Sequence, residues 1–271
     1  MNNTKKPEIL VSTGTFIGRA NGRNERLIPV IAENAVCDGF ELMLLEDWTN
    51  RLPAVCDFLV ASDFHPKTIH LEKSIGVLLS DGSEQRARQA LDTFMRDIEA
   101  AAKLGADLAV LHFWGGRRSD FHIDKNLPYI PRFYEAADIY GITLAIENIP
   151  CVYGTPLFAW NRIAAYYPAA KFIFDSRFGA FHNEYKKIFA SPHWENVCHT
   201  HISDFGGEMI HPILHPGEGA IDFEDLFAAM PSYTPMITVE SPVLNADGTA
   251  DTEKLNRTVA YVRSLCEKYR K

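Results

Sequence analysis

The sequence predicts an α/β protein, a single (β/α)8 TIM barrel over residues 1–271, with residues 1–7 as a flexible tail. Three observations carry this prediction. Short apolar, often β-branched runs alternate eight times with longer helical patterns. Successive runs start about 25–40 residues apart, close to the size of a βα unit. No Pro/Gly/Ser linker divides the 271 residues, a length that α/β barrels occupy in one piece. An open doubly wound sheet is the alternative, but Gly14-Thr15-Phe16-Ile17-Gly18 is too loose a match to the dinucleotide-binding glycine pattern.

The predicted strands are Ile9–Thr13, Phe40–Leu44, Thr68–Leu71, Leu108–Phe113, Thr143–Glu147, Phe172–Asp175, Val197–Ser203 and Met236–Glu240. Each is a compact apolar run, as parallel strands covered on both faces require. Between them, Ser83 is placed to cap a helix whose apolar stripe runs Ala87, Ala90, Leu91, Phe94, Ile98, Ala101, and Gly105 supplies its left-handed stop. A last helix starts near Thr252 and repeats the spacing with Leu255, Val259, Val262 and Leu265. Glycines also precede the second and fifth runs, in Cys37-Asp38-Gly39-Phe40 and Tyr140-Gly141-Ile142.

Composition narrows the function. The 27 basic and 35 acidic side chains give a net charge of -8, which speaks against a nucleic-acid binder, since that needs a basic face. No apolar stretch is long enough for a membrane span, and the polar start lacks the apolar core of a signal peptide. Cys37, Cys56, Cys151, Cys198 and Cys266 are odd in number and scattered, as free thiols in a reducing cytoplasm would be; a cytoplasmic location is the expectation.

Barrel chemistry sits at the C-terminal ends of the strands. There the sequence places His70, His112, Glu147, Asp175, His201 and Glu240, on runs three to eight in turn. Strand parity puts Thr143, Ala145 and Glu147 on one face, and His199 and His201 on one face. A carboxylate at the end of an apolar strand is costly unless a cation or donors compensate it. One such residue is commonly a structural hydrogen-bonder; four on consecutive strands point to a shared divalent ion. His65, His122 and His193 read as surface residues.

With these residues in view, the sequence resembles the xylose-isomerase-like TIM-barrel superfamily of sugar isomerases and epimerases, related dehydratases and apurinic endonucleases. The resemblance covers Ile9 to about Tyr269. It rests on Ile146-Glu147-Asn148, Phe174-Asp175-Ser176, His201-Ile202-Ser203-Asp204, Gly217-Glu218-Gly219-Ala220-Ile221-Asp222-Phe223 and Thr238-Val239-Glu240-Ser241-Pro242. It implies one divalent ion held by Glu147, Asp175, His201 and Glu240, with the two glutamates as an acid/base pair. Three carboxylates and one imidazole favour Mn²⁺, Mg²⁺ or Co²⁺ over Zn²⁺. Two departures stand out. The histidine often found three residues after the strand-six Asp is Phe178 here, with His182 four residues further on. The Asp-x-His pair that the endonucleases carry after strand seven is missing, although His70 and His112 resemble their ligands on strands three and four.

The expected function is therefore that of a metal-dependent isomerase or epimerase of a sugar or related hydroxy-carbonyl compound, working through a stabilised enediolate. A dehydratase using the same enolate is the alternative, and a multi-zinc phosphodiester hydrolase or a binding barrel without chemistry stands behind it. For substrate contacts, Trp114 can stack on a sugar ring or fill the core. Arg177, or Arg117 and Arg118, can hold an anion or stay solvated. His70, His112, His182 and His215 complete the candidate substrate-binding set, while Trp48 is a weaker candidate and Glu41 is placed to orient a neighbouring His. The expected partner is a small sugar-like molecule, with no nucleic acid or membrane; the resemblance also allows a homo-oligomer.

Overall fold

Eight parallel strands carry the fold: β1 (Glu8–Ser12), β2 (Gly39–Met43), β3 (Thr68–His70), β4 (Leu108–Leu111), β5 (Thr143–Glu147), β6 (Lys171–Asp175), β7 (Val197–Ile202) and β10 (Met236–Val239). A separate antiparallel pair, β8 (Asp204–Phe205) and β9 (Ile213–Leu214), lies between β7 and β10 in the chain. In the computed structural model, which describes residues 6–115 and 119–269, the eight close into a barrel in the order β1-β10-β7-β6-β5-β4-β3-β2. Every predicted strand is present within two residues. The fourth stops at Leu111 rather than Phe113, because the Phe113 carbonyl accepts from Asn126 Nδ2 (2.9 Å) instead of a ladder partner.

Two compact units divide the chain: Leu42–Ile173, and the segments on either side of it. Within Leu42–Ile173, β3 pairs β4 from Thr68↔Leu108 to His70↔Val110, β4 pairs β5 from Leu108↔Thr143 to Leu111↔Ile146, and Glu147 faces Ile173. Helix Glu84–Leu104 begins as its sequence dictates, with Ser83 Oγ accepting from Arg86 N (3.3 Å), and ends at Gly105 with φ +77°. Its predicted stripe is buried, and Phe94 stacks on Phe133 at 4.2 Å. Its buried Asp97 accepts from Glu72 N (2.8 Å) while pairing with Arg96, which fixes the turn after β3. Helix Ser74–Asp81 comes so near β4 that a Cβ on Gly76 would lie 2.3 Å from His112 O.

In the other unit, β10 lies between β1 and β7, with Leu10↔Thr238 and Thr238↔His201 in register, and β1 carries Ser12↔Glu41 on its other edge. Ile9, Leu10 and Val11 are wholly buried, the signature of strands covered on both faces. Helix Thr252–Lys268 starts at the predicted position; Asp251 Oδ1 caps it through Lys254 N (2.8 Å), and Leu255, Val259, Val262 and Leu265 are buried. The Gly-rich run is held by one carboxylate: Asp204 accepts from the amides of Phe205, Gly217, Gly219 and Ile221 at 2.8–3.2 Å. All five cysteines are free thiols. No helix among the described residues is long and apolar enough to cross a membrane.

Candidate metal centre

Three predicted residues meet at the ends of β3, β4 and β5. His70, His112 and Glu147 offer one ligand atom each within 4.8 Å of one another. His70 Nδ1 lies 2.8 Å from the Leu71 carbonyl, which can only accept, so that nitrogen carries a proton. Its other ring nitrogen, Nε2, lies 3.7 Å from Glu147 Oε2. His112 Nε2 approaches the same oxygen at 2.6 Å without hydrogen-bond alignment. Burial drives the His112 imidazole down to about 3 and outweighs the opposing pull of the Glu147 carboxylate, so the ring is neutral at pH 7.

A second group gathers at the ends of β6, β7 and β10. Asp175, His201 and Glu240 each offer an atom within 4.8 Å of the others. Asp175 Oδ1 caps helix Ser176–Phe181 through Phe178 N (2.7 Å), so Phe178 contributes its backbone where the family often has a histidine. Ser176 Oγ bonds Ser203 O (2.9 Å) and Ser203 N (3.1 Å), which ties the end of β6 to the end of β7. His201 Nδ1 stands 3.6 Å from Glu240 Oε2, and the buried Glu240 Oε1 has no hydrogen-bond partner among the described residues.

Glu41, expected to orient a neighbouring His, meets two of them. It is wholly buried, and its Oε2 lies 3.1 Å from His201 Nε2 and 3.3 Å from His199 Nε2. Burial alone would raise its carboxyl, but the charge and hydrogen bonds of His201 and His199 hold it well below the ordinary carboxylate range. The available signal was the His199-x-His201 pair on one strand face, which needs a buried acceptor.

Other predicted contacts settle elsewhere. Trp114 is wholly buried and its indole donates to Pro150 O (3.2 Å), so it packs in the core and shows no face for a sugar. Trp48 is also buried. Arg177 donates to Ser203 Oγ (3.1 Å) and Ile210 O (3.3 Å) and lies 4.3 Å over the Phe178 ring, which commits it to the segment after β7. His215 uses both ring nitrogens, on Thr258 Oγ1 (2.6 Å) and Pro242 O (3.0 Å), leaving neither for a substrate hydroxyl. His182 is half-buried against Phe181. Arg117 and Arg118 lie outside the described residues.

A divalent ion fits these donors. Two imidazoles stand beside the Glu147 carboxylate, and the buried Glu240 Oε1 has no hydrogen-bond partner among the described residues, a donor set that suits a cation.

Comparisons with known proteins agree on the fold. No curated protein matches the sequence. Among solved structures, the chain is similar to IOLI protein with a bound zinc atom (TM-score 0.75, 15% identity, 97% of this chain and 99% of that one). It is also similar to D-allulose 3-epimerase from Methylomonas sp. in complex with D-allulose (0.72, 16%, 96% and 97%). A third is 3-keto-D-glucoside 4-epimerase YcjR from E. coli (0.68, 17%, 96% and 100%). The family model for the xylose isomerase-like TIM barrel matches residues 67–265, well over half of the sequence, and the chain belongs to that family.

Proposed function

We propose that this chain is a divalent-metal-dependent isomerase or epimerase of a sugar or related hydroxy-carbonyl compound. In this reading Glu147, Asp175, His201 and Glu240 hold one ion, and Glu147 and Glu240 are the acid/base pair. The observation that carries it is the group of Asp175, His201 and Glu240, whose ligand atoms lie within 4.8 Å at three strand ends, with a buried Glu240 oxygen that has no hydrogen-bond partner among the described residues. Glu147 supports it from its own side: it faces Ile173 on β6, two residues before Asp175 along that strand. A D-allulose 3-epimerase and a 3-keto-D-glucoside 4-epimerase are among the proteins that share the fold.

Moving a proton on the carbon beside a carbonyl needs a base on one side and an acid on the other. An ion held here would stabilise negative charge as it builds on the substrate oxygens. Glu147 would take or return the proton on one face, and Glu240 would do so on the other. His70 and His112 flank Glu147 and would contact substrate hydroxyls. The oxygen-rich set favours Mn²⁺, Mg²⁺ or Co²⁺, and the zinc in IOLI protein makes Zn²⁺ the competitor to include.

The test is metal-dependent deuterium uptake from solvent across a panel of ketoses. Exchange without loss of water supports the isomerase, product lighter by one water points to the dehydratase, and no exchange with any metal overturns both. The group His70, His112 and Glu147 favours one further reading, a phosphodiester hydrolase with two or more ions. One bound ion per chain excludes it.

A further inference from the structure

We propose that Glu41 is a positioning residue: it fixes His201 as the Nε2–H tautomer and thereby turns Nδ1 toward the ion. The proposal rests on the reading that His201 is a ligand, and it concerns which nitrogen binds and what sets that choice. Glu41 and His201 are both wholly buried, on β2 and β7, with β1 and β10 between them. An ionised carboxylate can only accept, so the proton in the 3.1 Å contact belongs to His201 Nε2. The other nitrogen, Nδ1, faces a second carboxylate oxygen, Glu240 Oε2, at 3.6 Å. When the ring carries a single proton, the shorter, aligned contact to Glu41 holds it on Nε2, and Nδ1 is then the nitrogen on the Glu240 side, where a cation would be bound.

His199 keeps Glu41 in place. Its Nε2 lies 3.3 Å from the same Glu41 oxygen and 3.0 Å from Thr238 Oγ1, and its ring stands perpendicular to that of His201, with centroids 5.0 Å apart. Two imidazoles from one strand therefore pin a single carboxylate oxygen from two directions. A carboxylate bonded to the far nitrogen of a metal-binding histidine fixes the ring's tautomer and orientation and raises its basicity, and losing it typically weakens metal affinity about 10–100-fold. Glu41, His199 and His201 also form a three-donor group themselves, so the opposing assignment is that Glu41 is a ligand.

The test uses the full chain, stripped of metal. Nitrogen-15 spectra of its histidines, at a pH where His201 carries one proton, should show that proton on Nε2. Calorimetry with Mn²⁺ should then show about 10–100-fold weaker binding to Glu41→Met, which keeps the volume and removes the acceptor. Glu41→Gln, which keeps one acceptor oxygen, should fall in between. A proton on Nδ1, or wild-type affinity in Glu41→Met, overturns the proposal. So does loss of one of two ions in Glu41→Met, which would make Glu41 a ligand. If Glu41→Met does not fold, the wild-type spectra decide alone. If the wild-type chain binds no ion, the functional reading fails, while the tautomer assignment is still decided by the spectra.

Discussion

His112 Nε2 stands 2.6 Å from Glu147 Oε2, and the ring is neutral. Burial disfavours charge on the ring while the Glu147 carboxylate pulls the other way, a conflict that a cation shared by the two groups would relieve. Divalent metal should therefore stabilise the fold. At a free concentration 100 times Kd the gain is about 2.7 kcal/mol. Thermal melts with and without Mn²⁺ should show an upward shift for the wild type and a much smaller one for Glu147→Gln. An equal shift in the variant would place the ion elsewhere.

The same burial makes stability depend on pH. In the unfolded chain His112 titrates near 6.5; in the folded chain it is pushed down to about 3, chiefly by burial. Between these values the unfolded state binds more protons, so stability rises with pH. The contribution is complete above about 6.5 and is lost as pH falls toward 3, and it amounts to a few kcal/mol. Metal-free wild type should thus lose more stability between pH 7 and 4 than His112→Asn. Parallel denaturation midpoints for the two proteins would show that His112 is not the group responsible.

The strands and the candidate ligand residues were legible because each is a local pattern. An apolar run ending in Glu147 or Asp175 announces both a strand and its cost, and Ser83 and Gly105 mark the ends of a helix by their own chemistry. Residues whose role depends on a distant partner were not legible. Trp114 could be a sugar platform or a core residue until Pro150, 36 residues on, was seen to accept its indole proton. His215 looked available until Thr258 and Pro242 claimed both nitrogens. Glu41 was expected to orient a neighbouring His, and it does; which His was not legible, because Glu41 lies 160 residues from His201 and only the strand order reveals that they meet.

Gly76 shows how a backbone fit supports the site. A Cβ there would meet His112 O at 2.3 Å and the Trp114 backbone N and O at 2.7 Å, and these are main-chain atoms that cannot step aside. Gly76→Ala should cost about 1–3 kcal/mol through overpacking. Because the clash falls on the segment carrying His112, it should also reduce the metal-induced rise in melting temperature. Val77→Ala, at a half-exposed neighbour on the same helix, is the control and should change neither. A fully stable Gly76→Ala with normal metal response would mean that the helix moves aside without disturbing His112.

Asp204 is the second support whose loss should be felt. Its carboxylate accepts from four backbone amides, of Phe205, Gly217, Gly219 and Ile221, and Asp204 itself is wholly buried. Hydrogen bonds to a charged group contribute about 1.5–3 kcal/mol each, though not additively, because part of the loop can turn its amides to water. Asp204→Ala should therefore lower stability by about 3 kcal/mol or more, seen as a fall in the urea midpoint at unchanged slope. Asp204→Asn keeps one acceptor oxygen and should lose less. Hydrogen exchange locates the effect: amides of Gly217, Gly219 and Ile221 should lose protection in Asp204→Ala, while those of Leu10 and Val239, in the β1–β10 ladder, should exchange only as fast as the global loss allows. Uniform acceleration at all these sites would mean that the carboxylate stabilises the whole fold without specifically ordering the glycine-rich loop.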